Sequence, residues 1–315
     1  MIEVRPYHPS HDDAIAALWN RRVAGCFATP PLTPETFGTD VTSKRHFEPD
    51  GLSLAFGGGR LVAWAHAGFR SSDGEAPDRR LGTVSMIAVE DGCLEAGQAA
   101  VAAAVRYLLK RGARQVGAFT IDFPNTPFYN GLYGGEKAGM DELHPLGVDA
   151  LRACGFVPAS GAVIMSGELA GSPQPPPLPE GTRLSIAPWD SPFTRADAYG
   201  IPEAIRQAEI LDASGKALAH MIFWHLERYN RASGDRMAVI SHMWAAAEVR
   251  GTGVAAAMQL AVHRLLREEK ARRVSLGTGG TNARAVRFYE KMGCRPLRNA
   301  FQFYLDWRRY GDYAP

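Results

Sequence analysis

The chain has 315 residues, 46% of them hydrophobic, with 35 basic and 33 acidic side chains and a formal net charge of +2. That is enough length and apolar content for two cores, and it provides no one-signed field of the kind that argues for nucleic acid or an anionic membrane. Cys26, Cys93, Cys154 and Cys294 show no CxxC spacing and no histidines at metal-ligand intervals, so they read as reduced thiols without a metal centre. The N-terminus carries charge and proline where a signal peptide needs an apolar core, and no apolar run reaches spanning length; a cytoplasmic chain is expected.

The first half opens with a strand at "IEVRPY" and a helix at "HDDAIAALWNRRVAG". A strand pair over "LSLAFGGGRLVAWAHAGF" and a strand at "GTVSMIAV" follow. Next come a helix from Gln98 to Lys110, a strand at "QVGAFTI", a helix ending "ALRACGF" and a strand at "AVIMSGEL".

The segment "GSPQPPPLPEG", Gly171 to Gly181, is a stiff proline-rich connector. It divides the chain into domains 1–170 and 182–315, joined by the linker 171–181. Beyond it, "TRLSIAP" reads as a strand and "AEILDASGKALAHMIFWHL" as a hairpin turning at Ala213-Ser214-Gly215. "MAVISHMWA" is a further strand. A helix from about Gly253 to Arg267 carries Val254, Met258, Ala261, Leu265 and Leu266 at helical spacing. "RRVSLGT" is a short buried strand, "NARAVRFYEKMG" a helix capped by Asn282 and stopped at Gly293, and "AFQFYLDW" a closing strand. The two halves repeat one order of elements. Aligning Gly155 with Gly293 and Gly97 with Gly253 superposes their later helices, leaving an extra loop, Phe123 to Glu142, in the first half.

One stretch, "EVRGTGVAAAMQL", sets Arg250-Gly251-Thr252-Gly253 in front of a run of helix formers. A bare helix start presents unpaired N–H groups and partial positive charge, so it attracts anions. Gly251-x-Gly253-x-x-Ala256 formally satisfies the dinucleotide fingerprint GxGxxG/A. That fingerprint needs an apolar strand immediately before it and an acid about twenty residues on. Here Glu248 and Arg250 crowd the approach, and the next strand ends in Gly277-Thr278. A glycine-bearing helix start with no ligand stands as the plain alternative.

Arg250-Gly251-Thr252-Gly253-Val254-Ala255 resembles the Arg/Gln-x-x-Gly-x-Gly/Ala loop by which the GCN5-related N-acetyltransferase (GNAT) superfamily binds the pyrophosphate of acetyl-CoA. Asn282, Ala285, Tyr289 and Gly293 resemble that superfamily's second motif. The resemblance spans most of 182–307 and, more faintly, 1–168. It implies an α/β (α+β mixed-sheet) chain of two tandem GNAT folds, an architecture similar to that of mycothiol synthase. The implied activity is transfer of an acetyl group from acetyl-CoA to a small-molecule or peptide amine, with no nucleic acid or membrane partner. An acyl-CoA-binding sensor or scaffold without catalysis is the alternative.

The resemblance also assigns roles. The strand edge Met243, Trp244 and Ala245 is expected to pair with the pantetheine amides and polarise the thioester. Tyr289 is the expected general acid, against a plain reading as core packing. A phenol near pKa ~10 gives a proton to a thiolate near ~8.5 only with help from its site. His242 or Ser241 is the expected proton relay for the amine; they point to opposite faces unless the family's strand bulge turns them. Glu248 reads as a solvated charge and Phe288 as a core residue. At the aligned positions the first half has Leu94, Glu95 and Leu151, though Gly97 and Ala99 match, which marks it as a degenerate copy. Its extra loop, with Phe128, Tyr129, Tyr133, Gly134 and Gly135, is expected either to close the acceptor pocket or only to cap its own domain.

Overall fold

The computed structural model describes residues 1–26, 28–44, 46–70, 76–119, 140–141, 145–189 and 204–313. The extra loop, apart from residues 140–141, lies outside them. The described chain forms two compact units, 1–162 with 299–313 and 163–189 with 204–298. The connector at 171–181 is therefore a different division from the compact one: 163–170 fold with unit 2 and 299–313 with unit 1.

In unit 1, β1 (Ile2–Pro6), α1 (Asp12–Arg22), the short α2 (Pro34–Phe37), β2 (Leu52–Gly57), β3 (Arg60–Arg70) and β4 (Asp78–Val89) come first. They are followed by α3 (Leu94–Lys110), β5 (Gln115–Ala118), β6 (Met140–Asp141), α4 (Pro145–Ala153) and the first part of β7 (Phe156–Glu168). Successive strands β1 to β4 pair antiparallel and β4 pairs parallel with β5. The chain's C-terminal residues are bonded into the same unit. Phe303 pairs opposite Ala118, the Val116 amide donates to the Tyr310 hydroxyl, and the Asp306 amide donates to the Gly155 carbonyl. Trp19 of α1 stacks on Trp64 of β3, with centroids 6.3 Å apart. The small residues Ala96, Ala100 and Ala104 let α3 bury its stripe against β3. That helix begins four residues before the predicted Gln98, because its first turn, Leu94 to Gly97, already packs on Val89.

In unit 2 the elements are β8 (Arg183–Pro188), β9 (Arg206–Leu211), β10 (Ala217–His225), α5 (Glu227–Ser233), β11 (Met237–Ala245) and α6 (Val254–Glu268). β12 (Arg273–Gly279), α7 (Ala283–Lys291) and the start of β13 (Arg295–Leu305) complete it. The strand order is β7-β12-β11-β10-β9-β8, with β11 and β12 parallel. One face is closed by Val254, Met258, Val262 and Leu266 of α6 against Ala208, Ile210, Ala219, Met221, Phe223, Ala238, Ile240, Val274 and Leu276. Burial of each large apolar side chain there is worth roughly 1.5–3 kcal/mol. Val262 takes the core position expected of Ala261, so the stripe runs at strict i, i+4 spacing. Among the described residues no helix is long and apolar enough to cross a membrane, and no three His, Cys, Asp or Glu side chains gather to hold a metal.

Candidate active site

Three features converge at the C-terminal end of β11. The first is a parting of strands. β11 and β12 pair through Met237–Arg273, Ala238–Val274 and Val239–Ser275, after which β11 runs on to Ala245 and β12 to Gly279 without further rungs between them. A gap therefore opens alongside residues 240–245.

The second is a bulge. Across to β10, Ser241 sits opposite Ile222 and Trp244 opposite His220, so His242 and Met243 together face Met221. His242 takes φ +49°, the left-handed value at which a bulge inserts its extra residue. The side-chain alternation is reset: Ala238, Ile240, Met243 and Ala245 all turn to the α6 core, while Ser241 and Trp244 share the other face. The simple alternation that sets Ser241 and His242 on opposite faces thus does not describe this strand. Ser241 is buried, and His242 is exposed at the bulge itself.

The third is the loop from 246 to 253. A single 3-10 turn, Ala247–Val249, leads to Arg250, Gly251 at φ +85° and Gly253 at φ +93°. A Cβ at either glycine would meet nothing within 4 Å, so it is the backbone dihedral and not crowding that calls for glycine there. Thr252 braces the turn by donating its hydroxyl to the Val249 carbonyl at 2.8 Å. Helix α6 starts at the Gly253 carbonyl, which accepts from Ala257, and has neither a side-chain cap nor an acidic residue in its first turn. The first amides, from Val254 and Ala255 onward, are thus presented with the positive end of the helix. Arg250 donates Nε to the Ala245 carbonyl at 3.1 Å, which pins the guanidinium at the junction of strand and loop; its other N–H groups are further donors. Glu248 is exposed and pairs with Lys216 at 2.9 Å. Its own backbone amide, then Lys216, hold its carboxyl below the usual range.

α7 completes the set. Asn282 caps it, accepting the Ala285 amide at 3.1 Å, and Ala285 is half-buried against the core. Tyr289, not Phe288, is the buried aromatic: it is 9% exposed and meets the half-buried Phe288 edge-on at 5.3 Å. The helix turns its strip of closest approach through 289, four residues before the left-handed Gly293. Two residues of the region carried no motif to reveal them, His220 and Glu209. They lie on the face that the bulge gives to Trp244, and only the strand register brings the three together.

Unit 1 lacks the loop. Between Val89 and α3 stand only Glu90, Asp91, Gly92 and Cys93, and the positive-φ residue is Gly92. Gly97, aligned with Gly253 by sequence, lies inside α3; a Cβ there would come within 2.9 Å of Val89 and 3.3 Å of Ala150. That alignment is therefore corrected by the structure: the two glycines serve different ends. Leu151, by contrast, does sit four residues before a left-handed glycine, Gly155, and is fully buried.

These features have parallels among known proteins. Residues 185–294 match the family described as Acetyltransferase (GNAT) family. No curated protein matches the chain. Among solved structures, a tandem GNAT protein from the clavulanic acid biosynthesis pathway (without AcCoA) superposes with a TM-score of 0.66 at 15% identity, over 98% of this chain and 99% of that one. A GCN5-related N-acetyltransferase from Sphaerobacter thermophilus gives 0.63 at 14% identity, over 96% and 95%. A putative acetyltransferase from Pyrococcus horikoshii gives 0.53 at 12% identity, over 96% and 89%. At such identities the likeness is one of fold. The chain therefore has a tandem GNAT fold, and its residues 185–294 match the GNAT family of acetyltransferases.

Proposed function

We propose that the chain is an acyl-CoA-dependent N-acyltransferase, taking an acetyl group from acetyl-CoA to a primary amine, with coenzyme A held by unit 2 alone. One observation carries this reading. The β11–β12 gap leads straight into a loop whose two left-handed glycines present the uncapped start of α6. The residues fit a pyrophosphate: consecutive amides, no first-turn acid, open space over both glycines and a guanidinium at the loop's base. Bound there, the thioester would supply the activated acyl group.

The chain's own groups then divide the work. The amides of Gly251, Gly253, Val254 and Ala255, with Arg250, bind the phosphates, and Thr252 holds the loop in shape through its bonds to the Val249 carbonyl. The backbone of Met243, Trp244 and Ala245, on the parted edge of β11, aligns the pantetheine arm and polarises the carbonyl oxygen. Asn282 and Ala285 flank that arm. Tyr289 gives a proton to the departing sulfur, and His242, exposed at the bulge, receives the amine's proton directly or through water. The short 90–93 link, which lacks the pair of left-handed glycines, and Glu95 in the first turn of α3 disfavour a second phosphate site in unit 1.

The burial of Tyr289 favours a second reading, a binding protein without chemistry, in which the phenol is core packing. Two measurements test these. Calorimetric titration should find one coenzyme A per chain, and two equally tight sites would overturn the assignment to unit 2. Release of free thiol from acetyl-CoA with an amine panel distinguishes enzyme from sensor.

A further inference from the structure

We propose that Glu209, His220 and Trp244 form a cation-binding subsite on the face of unit 2's sheet turned away from α6. The acceptor is then an amine carrying a second positive charge. This rests on the reading of unit 2 as an N-acyltransferase and names the class of its acceptor.

The row is laid out by register. Glu209 on β9 lies opposite His220 on β10, and His220 lies opposite Trp244 on β11. Ala208, Ile210, Ala219 and Met221 point into the α6 core, so Glu209 and His220 between them point the other way. Trp244 joins them only because of the bulge. With uninterrupted alternation it would share the face of Ala238 and Ile240; the extra residue at His242 turns it over. The same backbone irregularity that marks the reacting end of the strand thus also builds this row.

Its chemistry is that of an ammonium receptor. The Trp244 indole is 47% exposed and stacks on the His220 ring at 6.1 Å and 21°. His220 Nδ1 lies 3.5 Å from Glu209 Oε1, with the two side chains 14% and 26% exposed. An imidazole held between a carboxylate and an indole keeps both oriented, and a carboxylate has acceptor capacity beyond one donor. Glu209 thus offers an ammonium its remaining acceptor capacity at one end of the row, and the exposed indole, two strands away, lines the path from there to β11. The α6 face, filled by apolar side chains, offers the acceptor no such partner among its described core residues.

The row also has a length. Neighbouring strands lie 4.7–4.9 Å apart, so from β9 to β11, where the acyl group is delivered, is about 10 Å. A long diamine spans that distance with one nitrogen at Glu209 and the other at the parted edge of β11.

The test is calorimetry on the full chain saturated with coenzyme A, using 1,8-diaminooctane and octylamine, which share length and differ in the second amine. The diamine should bind about tenfold tighter or better, an advantage in the range of a hydrogen bond to a charged group. Glu209→Gln should abolish that advantage and Glu209→Lys reverse it, both leaving coenzyme A affinity unchanged. The subsite is overturned if the diamine does not bind, if octylamine binds as well, or if the advantage survives Glu209→Gln. If coenzyme A itself does not bind, the acyltransferase reading fails, and the same two amines titrated into the unliganded chain still decide whether the row holds a second charge.

Discussion

The step from the fourth strand of each unit to its central helix is taken twice in this chain, with opposite chemistry. In unit 2, β11 reaches α6 through residues 246–253, with two left-handed glycines and no acid in the first helical turn. In unit 1, β4 reaches α3 through residues 90–93 alone. Glu90 there is held by Arg21 and Arg60, bonds that keep its carboxyl below the usual range, Asp91 pairs with Arg22, and Glu95 sits in the first turn. Yet unit 1 keeps the backbone frame. β4 pairs with β5 only from Leu81 to Val84 and then runs on to Val89, and its register against β3 shifts at Ser85. Parting strands and a bulge are thus properties of the sheet, present in unit 1 without the two-glycine loop. What differs between the units is the loop: its length and its left-handed glycines, on which the proposed phosphate site depends.

The sharpest way to break that comparison is Gly253→Val. A β-branched residue at φ +93° costs roughly 1–3 kcal/mol of backbone strain or swings the amides away from their common focus. Coenzyme A affinity by calorimetry should fall about 100-fold or more. Unchanged affinity would move the phosphate site elsewhere.

Acid probes the two cores in parallel. Burial pushes His66 of unit 1 down to about 3 and His263 of unit 2 down to about 4. Both folded-state values lie below the unfolded one, so at acid pH the folded protein binds fewer protons than the unfolded chain. The stability held by these neutral imidazoles is complete above about 6.5 and is lost from there downward towards the folded values. For His263 alone the loss is roughly 3 kcal/mol by pH 4. Glu269, held to about 2 by Arg206 and His225, contributes its own loss only from about 4.5 downward. Urea melts between pH 7 and 5 should therefore show the histidine effect by itself, and His263→Leu should remove about half of it, leaving the part that His66 carries.

Tyr289→Phe bears on the second helix of each unit, where Leu151 stands at the matching place. The change keeps the buried ring and removes one hydroxyl, so turnover should fall about 10- to 100-fold while coenzyme A affinity holds. Equal turnover, measured where chemistry limits the rate, would make Tyr289 the packing counterpart of Leu151.

Much of unit 2 was legible because its signals are local. The turn at Ala213 to Gly215, the cap at Asn282 and the stop at Gly293 all stand where sequence places them, because each depends on one or two residues' own dihedrals or side-chain reach. What was not legible depends on partners distant in the chain. The transfer of residues 299–313 to unit 1 is sealed by Phe303 opposite Ala118 and by Tyr310 on Val116, contacts between segments nearly two hundred residues apart. The Glu209–His220–Trp244 row needs the register of three strands and the bulge at His242, none of which periodicity encodes. Sequence places Phe288 in the core and leaves Tyr289 open between catalysis and packing, because adjacent aromatics on a short helix satisfy one apolar stripe equally well until the helix's rotation is known.

Gly97 gives the smallest effect on ligand binding and the cleanest separation of the two units. Letter matching sets it against Gly253, but the reasons for glycine differ in kind. Gly253 has open space and a left-handed φ; Gly97 is helical and crowded, with Val89 at 2.9 Å and Ala150 at 3.3 Å from where a Cβ would stand. Val89 is a stiff, buried side chain at the end of β4, so the helix must move if a larger residue is introduced. Gly97→Val should therefore cost about 1–3 kcal/mol through overpacking, seen as a lowered urea midpoint. Gly97→Ala should cost less, since the better helix propensity of alanine returns up to about 1 kcal/mol against the tighter contact. Neither change should alter coenzyme A affinity at 25 °C, where the chain remains folded. A loss of affinity in Gly97→Ala without a loss of stability would mean that the start of α3 takes part in binding after all, and that its carboxylates do not keep phosphate away.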